Sequence, residues 1–479
     1  MKENRLSSTE GATGGGRVLP AVLIFAFAVA LSAPLSAQAF DFGGRSYVDY
    51  YGNIDKTRFY ESERMRICLA PEFSARPLPW LSLNASAVFY TQLLGEPRFI
   101  APADILREAY LGLTFGPLDL YAGQKFVNWG KVDVLSPLNN INHSDTAVLS
   151  MDNIFESNIA DILLQARIYL NDSFDIDLVY VPFFQPNRFD IDEITIEQEL
   201  TLMYPGLETR KFNVDATFKN IEVPLFSQWA HSLHAALNYT SFDFDATVAY
   251  SYFRDQYLDF DLSGIKEVIS DKGALIVHDI TGTATPAYYR VHNIGAGIAF
   301  YLSDFLLSSD IAYKLTPDFA GTNMAIRNNE LFWVIQVERL YTVLEKQLRL
   351  QMNGFYRQVI NANAKIESDY SEILTAFLNA VLDDYANQKP PTQLYALFHA
   401  DTNFFRETLL VGANFIYGYS ESIYKMVPAF YFAPRVTYRI SDYVSASTGA
   451  DFWWGGTHEG FLGRNATKDN FFVRIQAQL

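Results

Sequence analysis

The sequence predicts an all-β protein, a transmembrane antiparallel up-and-down β-barrel of about 18 strands (16 as the alternative) with short periplasmic turns and long extracellular loops. Three observations carry that prediction. Segments of about ten residues alternate apolar and polar side chains along the chain. The connections between them are short and long by turns. Aromatic residues make up 15% of the chain, mostly 38 Phe and 29 Tyr, as expected of a wall with aromatic girdles at two interfaces. After Phe40 no stretch approaches the roughly 20 apolar residues of a spanning helix, so any crossing is made by strands.

The N-terminus indicates the compartment. Lys2, Arg5 and Arg17 precede an apolar run from Val18 to Leu31, and Ala37-Gln38-Ala39 offers a small-x-small cleavage site, so residues 1–39 read as a signal peptide. The expected destination is the outer membrane of a diderm bacterium, with residues 40–479 forming the barrel. The single cysteine, Cys68, rules out an intrachain disulfide and a cysteine-built metal site. A formal charge of −17 argues against a nucleic-acid partner.

Repeating the period-two search gives strands centred near Val48, Ile67, Ala85, Ala109, Leu120, Ala166, Leu178, Leu237, Val248, Ala296, Ala312, Ile335, Leu350, Phe398, Val411, Ala433, Ala446 and Ile475. The clearest hairpin joins Glu330–Leu340 to Gln347–Gln358. In its second member Leu348, Leu350, Met352 and Tyr356 oppose Gln347, Arg349, Gln351, Asn353 and Arg357, a row too polar for a soluble core. The last segment, Phe471 to Leu479, alternates to the final residue. A soluble sandwich could end that way too, but it has no reason to keep the loop parity. Short turns follow the even strands, and long connections follow the odd ones near 127–160, 184–230, 257–287, 316–329, 359–393 and 456–468.

Two of those connections carry more. Ile373, Leu374, Phe377, Val381 and Tyr385 recur at helical spacing, with Asp369 and Glu372 placed as a capping-box-like start. The resulting helix could constrict the lumen, cover it as a lid, or simply order a long loop. Asp190, Asp192, Glu193, Glu197 and Glu199 make 184–230 acidic, which reads as a solvated face before a cation site.

No catalytic motif stands out. His143-Ser144-Asp145 collects triad residue types, but adjacent residues do not generally converge as a triad. The charged residues placed on the lumen side are Glu108, Lys125, Arg167, Asp177, Glu338, Arg349, Arg357, His399, Asp401, Arg435, Arg439, Asp451 and Arg474. On the lipid face an Arg or Lys would cost roughly 2–4 kcal/mol at the midplane. Arg349, Arg357, Arg435 and Arg439 are candidates for one basic wall, whose transverse field would orient polar solutes.

The most distinctive segment runs from Leu106 to Asp145. It holds Arg107-Glu108-Ala109-Tyr110, a hairpin through Phe115-Gly116-Pro117, then Gly123-Gln124-Lys125, Trp129-Gly130-Lys131 and Pro137-Leu138-Asn139. It resembles porin-like outer-membrane barrel proteins in which an R-E-A-Y strand is followed by a G-x-Q strand and a W-G loop leading to a proline-asparagine turn. The resemblance implies a transport channel, with no assigned solute. Leu479 departs from the aromatic residue usual at the end of such chains. From the residues alone, Trp129 can bury its ring in the mouth while Gly130 bends the backbone and Lys131, Asp133 and Asp145 link the loop to the wall. The alternative is that Trp129 is an interfacial girdle residue. The constriction candidates are thus Trp129, Lys131, Asp133, Asp145 and Phe377.

Together these readings describe a porin-like channel for facilitated diffusion of small polar or amphipathic solutes, with no catalytic residues, metal or cofactor. Its expected partners are outer-membrane lipids, the barrel-assembly machinery, the solutes and, possible for a porin, further copies of itself. Two alternatives remain: a surface-interaction or adhesin barrel with a plugged lumen, and a transporter of hydrophobic compounds.

Overall fold

Successive side chains of a strand point to opposite faces, so a chain that alternates throughout builds a two-faced wall. A computed structural model shows that wall closed. It describes residues 40–54, 64–94, 105–144, 158–187, 194–203, 209–218, 229–257, 259–271, 275–343, 346–385, 391–405, 407–421, 426–455 and 469–478. The signal-peptide segment, Asp145, Asp190, Asp192, Glu193 and Leu479 lie outside the described residues.

The main sheet has nineteen hydrogen-bonded segments. Two of them, Leu81–Ala87 and Phe89–Leu94, are one strand interrupted at Val88, which leaves eighteen wall strands. They are β1 (Phe40–Asn53), β2 (Arg64–Leu78), β3 (Leu81–Ala87 with Phe89–Leu94), β4 (Leu106–Phe115), β5 (Leu118–Lys125) and β6 (Asp161–Tyr169). β7 (Phe174–Phe183), β8 (Trp229–Thr240), β9 (Phe244–Arg254), β10 (Arg290–Leu302), β11 (Phe305–Leu315) and β12 (Glu330–Val343) follow. β13 (Lys346–Val359), β14 (Thr392–Phe404), β15 (Leu409–Glu421), β16 (Met426–Arg439), β17 (Val444–Gly455) and β18 (Asn470–Gln478) complete the ring. Each sequence-predicted centre falls in its own strand. Neighbours pair antiparallel, and β1 closes on β18 with Val48 opposite Ile475 and Asp49 opposite Arg474.

The two faces are chemically opposite. Val48, Ile67, Leu164, Leu237, Leu350, Val473 and Ile475 are apolar yet exposed on the outside, while Asp49, Gln165, Asn238, Gln351 and Asn353 of the same strands are buried inside. Polar inside and apolar outside inverts the logic of a soluble sandwich. Tight turns link the even strands to their successors. At Gly116-Pro117, Gly116 has φ +58° with open space where a Cβ would sit, a conformation that suits a two-residue hairpin turn.

Two long connections, expected only as loops, form a second sheet. Ile194–Met203 pairs antiparallel with Thr209–Phe218, which runs parallel to Leu275–Ala287; Ile265–Asp271 and Asp259–Asp261 pair antiparallel with the latter. Helix α1 (Glu372–Tyr385) buries Leu374, Leu378 and Leu382, one stripe at i, i+4, i+8 spacing. Its cap is Ser371 rather than the expected Asp369: the Leu374 amide donates to the Ser371 hydroxyl at 3.3 Å, three residues along as an N-cap requires.

The same residue ties the helix to the second sheet. The Ser371 amide and hydroxyl donate to the Glu267 carboxylate at 3.0 and 2.6 Å, and the Tyr370 hydroxyl donates to the Leu262 carbonyl at 2.9 Å. The start of α1 is therefore anchored on Ile265–Asp271 of the second sheet. Burial pushes the Glu267 carboxyl up, but the bonds from Ser371 and the contact with His278 outweigh it and hold it below the usual range. A depressed carboxyl stabilises above its unfolded pKa, about 4.3 for Glu, and loses that contribution as pH falls through the folded value. Protection of the Ser371 and Leu374 amides, corrected for intrinsic exchange, is expected to drop between pH 7 and pH 3. Equal protection at both would separate the helix from Glu267.

Candidate functional site

The described part of the connection after β5, from Phe126 to Ser144, turns into the barrel and crosses it. Its path is fixed by side chains of the wall that accept hydrogen bonds from the loop backbone. Glu108 on β4 accepts from the Phe126 amide at 3.0 Å. The Asp310 carboxylate on β11 accepts from the Lys131 and Val132 amides at 2.9 and 3.1 Å. Gln336 on β12 accepts from the Asp133 amide at 2.8 Å. In return the Asp133 carboxylate accepts from Gln336 and Gln351 at 2.9 and 3.2 Å and stands 3.6 Å from Arg349. The far end is held by His143, whose amide donates to Asp161 on β6 at 3.1 Å.

Apolar packing follows the same path. Trp129, Leu138 and Ile141 pack with Leu163 of β6, Val179 of β7, Ala249 of β9 and Ala312 of β11. Val132 and Val134 pack with Val334, Phe355, Leu397, Ile416, Tyr431 and Trp453, one residue from each of β12 to β17. A Cβ at Gly295 or Gly297 on β10 would meet Leu138, and at Gly297 also Asp310 and Lys131. These glycines let the loop lie close against the wall, the usual meaning of glycine within a strand.

Trp129 is not a girdle residue. It is 5% exposed, its indole N–H donates to Asp177 of β7 at 2.9 Å, and its ring meets His234 edge-on. Asn139 gathers the turn by accepting from the Trp129 and Gly130 amides at 2.9 and 3.0 Å. His143 and Ser144 serve as anchors: the His143 ring lies 3.2 Å from Asp161, and the Ser144 hydroxyl donates to Asn158. Phe377 belongs to α1, and its side chain lies outside the described residues.

The remaining residues fall into separate groups. Arg167 grips Asp175 through two bonds of 3.0 and 2.8 Å. Lys125 donates to the Phe126 carbonyl and lies over the Tyr121 ring. His399 lies between Asn414 and Asp401, 2.7 Å from each. The single basic wall of Arg349, Arg357, Arg435 and Arg439 does not form. Arg349 bonds Glu338 at 2.9 and 3.0 Å, and Arg357 bonds Glu330 at 2.7 Å, because the β12–β13 hairpin sets these pairs beside each other. Arg439 is the exposed last residue of β16.

A different basic facet occupies the seam. Asp49 of β1 accepts from Arg66 of β2 at 3.0 and 2.7 Å and from Arg474 of β18 at 3.3 Å. Arg64 stacks on Tyr51 at 4.1 Å and Arg474 on Tyr47 at 4.5 Å. Arg435 lies 3.9 Å from Asp451, whose carboxylate also accepts the Tyr431 hydroxyl. Asp49, Arg64, Arg66 and Asp310 were missed by the sequence reading. Each sits at a lumen-parity position of its strand, and the β1–β2 register would have flagged Asp49 opposite Arg66.

The sequence matches no protein-family profile and no curated protein sequence. In fold the chain is similar to a BenF-like porin from Pseudomonas fluorescens Pf-5, with a TM-score of 0.50 and 9% identity, covering 92% of this chain and 98% of that one. It is also similar to OccK2 (OpdF) of Pseudomonas aeruginosa, solved in complex with glucuronate, at a TM-score of 0.48 and 9% identity over 92% of this chain and 97% of that one. OccAB1 of Acinetobacter baumannii gives 0.48 and 9% over 94% and 98%. At such identity the likeness is one of fold.

Proposed function

We propose that this protein is an outer-membrane channel in which small polar solutes diffuse through the barrel past an inserted constriction loop. The observation that carries this reading is the loop from Phe126 to Ser144, held inside the closed wall by Glu108, Asp161, Asp177, Asp310 and Gln336. Here buried carboxylates hold the backbone of one segment at a fixed height, which is how a pore is narrowed without being left to side-chain motion. The similarity in fold to a BenF-like porin and the R-E-A-Y, G-x-Q and W-G segment support the same class.

The apolar packing of Val132 and Val134 from β12 to β17 favours a second reading, a plugged barrel that acts through its second sheet. One experiment separates the two. The purified, heat-modifiable protein in a planar bilayer with potassium chloride is expected to carry stepwise ion current. Correctly folded protein without current above background would replace the channel by the plugged barrel.

A further inference from the structure

We propose that a groove on the outer rim of the barrel binds a neutral saccharide through Gln358, Asn361, Asn363 and Thr392. The groove has a volume of about 460 Å³ and opens to solvent between the end of β13, the turn that follows it and the start of β14. That volume falls within the range of small-ligand sites, about 300–1,000 Å³. It lies outside the lumen: Gln358 shares its face of β13 with Leu350 and Met352, and Thr392 shares its face of β14 with Leu394 and Phe398, all four exposed on the outside. Gln358 and Thr392 stand opposite each other as the last pair of that ladder. Gln358 is twelve residues along β13 from Lys346, which at about 3.4 Å per residue and a tilt of about 40° puts it about 31 Å from the short-turn end. The apolar band of such a wall is about 25 Å tall, so the groove sits at the level of the outer headgroups.

The lining has the chemistry of a hydroxylated partner. An amide side chain offers donors and an acceptor on one planar group, and a hydroxyl offers both on one atom, so each can pair with a sugar hydroxyl whichever way its hydrogen points. Ala362, Ala364 and Pro391 add apolar surface on which the C–H face of a sugar ring can lie. None of the described lining residues is charged, so they give no counter-charge to a phosphate or carboxylate. The walls are also fixed. The Tyr356 and Thr392 hydroxyls donate to the Gln358 side-chain oxygen at 3.0 and 2.8 Å, and the Val359 amide donates to the Pro391 carbonyl at 2.8 Å. Behind the turn, the Ile360 amide donates to the Asn329 carbonyl at 2.8 Å, and the Asn328 and Asn361 side chains donate to the Ile360 and Phe319 carbonyls at 3.0 and 3.2 Å. A groove already held in shape loses less to ordering when a ligand binds. Its height gives the saccharide two sources, the sugar headgroup of a glycolipid in the outer leaflet and free saccharide at the cell surface.

The test is saturation-transfer NMR on the folded protein in a detergent without a sugar headgroup. Maltotriose represents the free saccharide, and a lipopolysaccharide core oligosaccharide released by mild acid represents the leaflet. At least one is expected to receive saturation, and Asn361→Gly with Asn363→Ala is expected to weaken its binding about tenfold, the loss of one or two hydrogen bonds. Glycine tolerates the φ of +58° at position 361, so the turn is kept while the amide is removed. Transfer to maltotriose alone assigns the groove to free saccharide, transfer to the core oligosaccharide alone assigns it to the leaflet, and transfer to both, lost together in the variant, assigns it to the sugar ring they share. Transfer to neither overturns the proposal. So does transfer that is unchanged in folded variant protein, which would locate the binding elsewhere. If the double variant lacks the heat-modifiable form, Asn363→Ala alone is read in the same way. Ion current through the variant should match that of the unsubstituted protein, since the groove is outside the lumen, so failure of the proposal leaves the channel reading standing.

Discussion

Asp310→Ala is expected to release the inserted loop, raising single-channel conductance and opening Lys131 to trypsin, with the barrel itself still folded. Asp310 is fully buried, and its carboxylate accepts from two consecutive amides, Lys131 and Val132. Hydrogen bonds to a charged group contribute about 1.5–3 kcal/mol each, and a buried donor left without an acceptor costs about 1–3 kcal/mol. Loss of both bonds therefore weakens the docked loop by about 3–6 kcal/mol. Since about 1.4 kcal/mol shifts a population tenfold, the open arrangement should rise a hundredfold or more by about the same reasoning. The wall keeps its backbone ladder from β10 through β12, because that ladder does not involve the Asp310 side chain. Asp310→Asn retains one acceptor oxygen and should fall between the two. Unchanged conductance together with unchanged trypsin resistance at Lys131 would mean that apolar packing alone holds the loop.

The wall was legible in the sequence because its signal is local: ten residues of alternation identify a strand and assign its two faces. The inserted loop was half legible. Trp129, Lys131 and Asp133 announce a bend with anchors, but their partners Asp177, Asp310 and Gln336 lie far along the chain, and only closure of the ring brings them together. The basic wall failed for a nearer reason. Arg349 and Glu338 belong to one hairpin, and the register that sets Leu340 opposite Arg349 places Glu338 within reach; counting strands without register separated charges that are neighbours. The second sheet is masked in the sequence by the length and acidity of its connections, although Ile194-Thr195-Ile196 alternates. At α1 the cap was displaced from Asp369 to Ser371, since the residue preceding the first helical one is better placed to accept from the third amide onward.

The closing seam is where a single substitution should cost the fold most. Asp49 is 0% exposed and joins three strands: it sits on β1, opposite Arg474 of β18, and takes two bonds from Arg66 of β2. Asp49→Ala would leave Arg66 and Arg474 half-buried beside Arg64 with their shared counter-charge gone. Breaking a buried pair by removing one partner costs about 3–5 kcal/mol, chiefly because the other charge stays desolvated. The midpoint of urea unfolding in detergent micelles, read from the heat-modifiable band, is expected to fall accordingly. Arg474→Gln removes a 3.3 Å bond to Asp49, a 3.4 Å bond to the Tyr51 hydroxyl and the stacking on Tyr47 but leaves Asp49 gripped by Arg66, so its effect should be about 1–3 kcal/mol, the level of two ordinary hydrogen bonds and below that of Asp49→Ala. The order of the two variants matters more than either value. If Arg474→Gln proves as damaging as Asp49→Ala, the seam depends on the β18 side chain itself; if neither moves the midpoint, the backbone ladder between Arg45 and Gln478 closes the barrel without help from charge.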